Sequence, residues 1–85
     1  MGKYTIEIIP KAEKEFLKLP EKVKAPITKK ILLLEDNPRP FGSKKLKETE
    51  YYRIRVGDFR VVFSIDDSNK KVNVLSIAHR KEVYR

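Results

Sequence analysis

Arginines are the side chains best placed to do chemistry in this sequence, because three of them crowd around one short turn. Arg53 and Arg55 lie in Tyr52-Arg53-Ile54-Arg55-Val56, Arg60 lies in Phe59-Arg60-Val61-Val62-Phe63, and Gly57-Asp58 separates the two runs. Glycine at the first central position suits a two-residue type II′ hairpin turn. Such a turn sets Val56 opposite Phe59, Arg55 opposite Arg60, Ile54 opposite Val61 and Arg53 opposite Val62. Side chains alternate along a strand, so Tyr52, Ile54, Val56, Phe59 and Val61 share one face and the three arginines share the other. Like charges placed directly opposite destabilise a sheet, and solubility alone does not explain that cost. A polyanion site does, since a guanidinium fork matches phosphate oxygens and stays charged at any physiological pH. The alternative is a solvated face on which the arginines pair with Asp58, Asp66 or Glu50.

The chain ends in Ile77-Ala78-His79-Arg80-Lys81-Glu82-Val83-Tyr84-Arg85. An antiparallel return strand brings that end beside Arg60, where Arg80 and Tyr84 would complete the patch. His79, the single histidine, is a candidate proton donor; the alternative is a surface or hydrogen-bonded histidine. Tyr84 likewise reads either as part of the site or as an aromatic packed at the C-terminus. Lys44, Lys45 and Lys47 would hold nucleic-acid backbone without reading sequence, or form a solvated charge run. Of the aromatics near the hairpin, Tyr52, Phe59 and Phe63 belong to the apolar face and only Tyr51 falls on the arginine side.

The elements that must position these residues are legible in the hydrophobic periodicity. Residues 3–10 read as a strand, with Tyr4, Ile6 and Ile8 alternating until Pro10. Ala12, Phe16 and Leu19 recur at helical spacing over residues 11–19, and Pro20 separates this helix from a second. There Val23, Ile27, Ile31 and Leu34 form one stripe that closes at Asn37-Pro38. Pro26 predicts a helix that begins near it or kinks there. Residues 37–43 form a loop, and residues 51–56, 59–66 and 71–79 read as strands rich in aromatic and β-branched residues. The expected fold is α+β in the order β-α-α-β-β-β, an antiparallel sheet covered on one face by two helices and open on the other.

Composition closes off other chemistries. With 85 residues the chain is expected to form a single domain. The absence of cysteine excludes disulfides, zinc-thiolate sites and cysteine nucleophiles and points to a reducing compartment. With one histidine and no paired carboxylates at a suitable spacing, no metal is expected. No stretch approaches the length of a membrane span or has the pattern of a signal peptide, so a cytoplasmic protein is expected. A net charge of +8 makes nucleic acid the first partner to consider.

Three segments, in this order and spacing, resemble the RelE branch of the RelE/ParE toxin superfamily: Lys45-Leu46-Lys47, the hairpin of residues 52–63, and His79-Arg80-Lys81-Glu82-Val83-Tyr84-Arg85. The resemblance covers nearly the whole chain and implies a RelE-like, microbial-ribonuclease-type architecture. It implies a toxin that enters the ribosomal A site, cleaves mRNA there without a small-molecule cofactor, and is neutralised by a RelB-like antitoxin protein. The basic positions of the family fall on Arg53, Arg55, Arg60 and Arg80, and its C-terminal tyrosine on Tyr84. Arg60, Arg80 and Arg55 would then stabilise the phosphorane while Arg53 holds the flanking backbone, with Tyr84, His79 or the ribosome serving the leaving oxygen. Two departures stand out. Arg55 occupies a position where some members have lysine, and arginine does not readily give up a proton to act as a base. Ser43, Lys44 and Lys45 precede Leu46, with no glutamate where some relatives place a base. Two other readings fit the same fold: a ParE-like inhibitor of DNA gyrase, and a noncatalytic RNA-binding module.

Overall fold

The computed structural model of the protein describes residues 3–79. Strand β1 (Thr5–Ile8) stops short of Pro10, and the proline then does a second job. It opens helix α1 (Pro10–Leu17), where its fixed φ suits the first turn and its missing N–H has no helical partner to lose. Helix α2 (Glu21–Leu33) begins directly after Pro20 and continues through Pro26, so of the two expectations, a start near the interior proline or a kink at it, the first does not hold. An interior proline costs about 3 kcal/mol. Against it, Ile27, Ile31 and Leu34 are buried, each contributing roughly 1.5–3 kcal/mol. Pro26 itself is exposed, so water can satisfy the carbonyl it leaves unbonded.

The remaining strands are β2 (Lys44–Lys45), β3 (Tyr51–Val56), β4 (Phe59–Asp66) and β5 (Lys71–His79). The last three keep the bounds read from the sequence. Strand β2 does not show in the sequence, because two residues are too few to display an alternation. The sheet order is β1-β5-β4-β3-β2. The pairs β2–β3, β3–β4 and β4–β5 are antiparallel, whereas β1 runs parallel to β5, so the expected antiparallel sheet gains one parallel edge. The α+β class and the two-layer arrangement hold. Ala12, Ile27, Ile31 and Leu34 pack from the helical layer onto Ile54, Val61, Phe63, Val72, Val74 and Ile77 of the sheet.

Strand β5 carries the irregularity that shapes the site. Val62 pairs with Ser76 but Phe63 pairs with Val74, which leaves Leu75 as an extra residue, a β-bulge. Val72 and Val74 are in the core before the bulge and Ile77 is in the core after it. Strict alternation would instead have turned Ile77 and His79 to the open face and Ala78 inward. Beyond Val74, β5 has no partner in β1. Glu15 of α1 fills the gap: its carboxylate accepts the Ile77 N–H at 2.8 Å and a Lys11 Nζ hydrogen at 2.9 Å. Burial pushes the Glu15 carboxyl up, but these hydrogen bonds outweigh it and hold it below its ordinary value.

Candidate nucleic-acid interface

The turn that assembles the site has the conformation its sequence calls for. Gly57 has φ of 60°, and Asp58 is not among the left-handed residues, as a type II′ turn requires. The hairpin register follows: Val56 pairs with Phe59, Arg55 with Arg60, Ile54 with Val61 and Arg53 with Val62. Residues paired across strands share a face, so the open side of the sheet is built in rows. One row is Arg55, Arg60 and Ala78; the next is Lys44, Arg53 and Val62, while Ser76, paired with Val62 at the strand edge, accepts a hydrogen bond from Lys11 Nζ of α1 at 3.4 Å. Strand β2 thus contributes Lys44 beside Arg53, and the bulge contributes a small side chain beside Arg60. Arg55 is exposed, Arg53 half-buried, and Arg60, in the middle strand, only 7% exposed. Charged side chains are rarely so enclosed. None of the ion pairs found among the described residues involves Arg55, so the expected alternative of pairing with Asp58, Asp66 or Glu50 does not form there.

The other predicted site residues are placed differently. His79 pairs with Phe59 on the helix-covered face, its ring edge-on to the Phe59 ring at 5.2 Å between centroids, away from the arginines. It borders a hollow with Glu15, Lys18, Leu19 and Pro20. Lys45 pairs with Tyr52 and so belongs to the helix side at the sheet edge, while Lys47 lies exposed beyond β2. Arg80 and Tyr84 lie outside the described residues.

A polar cluster that gave no signal in the sequence joins four distant segments. Arg39 Nη2 meets Asp67 Oδ2 at 2.8 Å, and Arg39 Nε donates to the Tyr52 hydroxyl at 3.3 Å. Tyr4 donates its hydroxyl to Asp67 Oδ1 at 2.6 Å. The Arg39 and Tyr4 hydrogen bonds hold the Asp67 carboxyl down to about 2. The cluster ties the loop after α2 to β1, to β3 and to the β4–β5 turn. It lies at the end of the sheet remote from the hairpin turn, so it is a fastening for the loop that leads into β2.

The family model described as the ParE toxin of type II toxin–antitoxin systems, parDE, matches residues 6–84. The chain belongs to this toxin family. Toxin RelE of Mycobacterium tuberculosis is 33% identical over 84 residues, covering 96% of this chain and 87% of its own length. Among solved structures, the RelBE2 toxin–antitoxin complex of the same organism matches with a TM-score of 0.82 and 26% identity, covering 92% of this chain and 99% of that one. The RelE–RelB complex of Pyrococcus horikoshii matches with a TM-score of 0.82 and 28% identity, covering 92% and 96%. The protein is a toxin of RelE type, and its two helices and mostly antiparallel five-stranded sheet are those of the RelE structures.

Proposed function

We propose that this toxin is an endoribonuclease, an mRNA interferase that cleaves mRNA in the ribosomal A site and so inhibits translation. The observation that carries the reading is the row in which Arg55 faces Arg60 across two strands, with Arg53 and Lys44 in the next row. Opposed guanidinium groups cost stability and become favourable when a phosphate lies between them. In the reaction the ribose 2′-oxygen attacks the adjacent phosphorus, the 5′-oxygen of the next nucleotide departs with a proton, and a cyclic phosphate and a 5′-hydroxyl remain. Arg60, Arg55 and Arg80 stabilise the charge that develops on the phosphorane oxygens, a preorganised electrostatic effect, and Arg53 and Lys44 hold the flanking backbone. Lys45 and Lys47 add positive charge at the edge. Tyr84 supplies the proton to the leaving oxygen. His79 has no part in it, because it packs against Phe59 on the opposite face.

Among the described residues the arginine rows carry guanidinium groups and an ammonium but no carboxylate or imidazole, so the ribosome supplies both the geometry of attack and the acceptor for the 2′-hydroxyl proton. No helix of the described residues is long and apolar enough to cross a membrane, and a ribosomal target places the toxin in the cytoplasm. The relatives from Mycobacterium tuberculosis and Pyrococcus horikoshii are toxin–antitoxin complexes, and a RelB-like protein is the partner that would silence this toxin. An acidic antitoxin segment complements a chain of net charge +8. A second reading, gyrase poisoning without catalysis, draws support from the ParE name of the matching family and none from the arginine rows.

Primer extension on mRNA from ribosomes stalled with an empty A site tests the reading, with ribosome-free RNA alongside. The expected result is a new cut within the A-site codon, little cutting of free RNA, and a loss of about 10²–10³-fold in rate in Arg60→Ala at unchanged folding. Absence of any cut by folded wild-type protein, or cutting indifferent to both Arg60→Ala and Arg80→Ala, overturns it. Trapped DNA cleavage complexes in place of cut mRNA would transfer the assignment to gyrase.

A further inference from the structure

The open face holds a third row that the arginine site does not use. Tyr51 pairs with Ser64, and Ser64 with Asn73, so the three stand side by side across β3, β4 and β5. Alternation puts them on the same face as Arg53, Arg55 and Arg60, and two residues of strand set this row about 7 Å from the Arg53 row. That is a nucleotide-sized step from a backbone held by the arginines. Tyr51 is 46% exposed, yet its main chain is fixed on both sides: its N–H donates to Thr49 Oγ1 at 3.1 Å and its carbonyl accepts the Leu46 N–H at 2.8 Å. It is a flat aromatic on a rigid base. Ser64 and Asn73 are half-buried beside it. The row beyond is closed off by charges already engaged, with Asp66 bonded to Asn69 at 2.9 Å and Lys71 beside Glu7 at 3.4 Å.

We propose that Tyr51, Ser64 and Asn73 form a base-binding subsite for the single-stranded RNA nucleotide flanking the arginine-held backbone, and that it favours adenine. Stacking on tyrosine is tolerant of sequence, and single-stranded RNA bases are commonly held this way. Discrimination comes from the Asn73 carboxamide reading the N7 edge of the stacked base, where adenine alone offers an acceptor beside a donor. The Ser64 hydroxyl adds one hydrogen bond of either sense. A solvated polar face is the competing account of the same residues. It predicts no nucleotide preference that depends on them.

The subsite rests on the ribonuclease reading for its role in cleavage, but binding can be read without any cut. In the first measurement, the full-length toxin labelled with ¹⁵N is titrated with tetra-adenylate and with tetra-uridylate, and the Asn73 side-chain amide is followed by NMR. Adenylate is expected to shift that resonance and to bind roughly 5- to 100-fold more tightly than uridylate, a preference abolished in Asn73→Ala. In the second, messages that differ at one position next to the cut are compared on programmed ribosomes. Asn73→Ala should remove the preference for adenine while cleavage at other sites persists. Tyr51→Leu should weaken cleavage at all sites about tenfold, and Tyr51→Phe should restore it. An Asn73 resonance that ignores adenylate, an unchanged site preference in Asn73→Ala, or undiminished cleavage in Tyr51→Leu overturns the subsite. A wild-type toxin that binds adenylate at Asn73 but cuts nothing would leave the subsite standing and remove the ribonuclease reading.

Discussion

In the proposed reaction Arg55 is the residue to test first, because it stands opposite Arg60 and forms none of the ion pairs found among the described residues. A guanidinium at that position can hold a phosphate but cannot exchange protons at physiological pH. A lysine can, since a neighbouring cation favours its neutral form and draws its pKa downward. Arg55→Lys is therefore expected to keep cleavage on the ribosome and to add a rising limb to its pH–rate profile between neutrality and about pH 10, whereas Arg55→Ala should lose at least about 100-fold. Single-turnover rates measured across that range on stalled ribosomes decide it. Superimposable profiles for arginine and lysine would mean that position 55 contributes charge alone.

At the scale of elements, the hairpin of β3 and β4 delivers three arginines to one face, and its register depends on Gly57. Its φ is 60°, and a β-carbon at this position would have no neighbouring atom within 4 Å, so an alanine there meets only backbone strain. Gly57→Ala should cost about 1–2 kcal/mol, read as a lower urea midpoint at unchanged slope, with cleavage retained once the protein is folded. A change in slope or a scrambled hairpin would show that the turn sets the register less firmly than its geometry implies. The same glycine explains why this part was legible in the sequence: one residue type at one position fixes every pairing from Val56 to Arg53. The second half of β5 was not legible. The Leu75 bulge has no composition of its own, yet it reverses the facing of Ile77, Ala78 and His79, and so it separates His79 from the arginines it was expected to join. Strand β2 and the Tyr51–Ser64–Asn73 row escaped notice for a related reason, since both exist only through pairing between strands.

Across the whole molecule, two properties are spread widely enough to mislead if counted without their positions. The first is acid sensitivity. Asp67 is held down to about 2 by its hydrogen bonds from Arg39 and Tyr4, against about 3.9 in an unfolded chain. Its contribution is full above about pH 5 and disappears as pH falls toward 2, and the lowered Glu15 carboxyl acts in the same direction. Urea midpoints should fall progressively below pH 5, and Asp67→Asn should be less stable at pH 7 but flatter in that window. A midpoint as high at pH 3 as at pH 7 would contradict the cluster.

The second property is charge. The total of +8 includes Lys11, Lys14, Lys22, Lys24, Lys29 and Lys30 on the two helices, which cover the face turned away from the arginine rows. Charges there act on RNA only through the long-range field, which salt screens over about 8–10 Å at physiological strength. Lys44, by contrast, stands in the row of Arg53, where it can touch a phosphate. Each phosphate neutralised on a single strand adds about 0.7 to the slope of log affinity against log salt. Lys44→Ala should therefore reduce that slope by about 0.7 for binding of a short oligoribonucleotide. Lys22→Ala and Lys29→Ala should leave the affinity at about 0.15 M salt unchanged and lower the slope by much less than Lys44→Ala does. If the helix substitutions lowered the slope as much as Lys44→Ala did, RNA would be held by the charge of the whole protein and not by the rows of the open face.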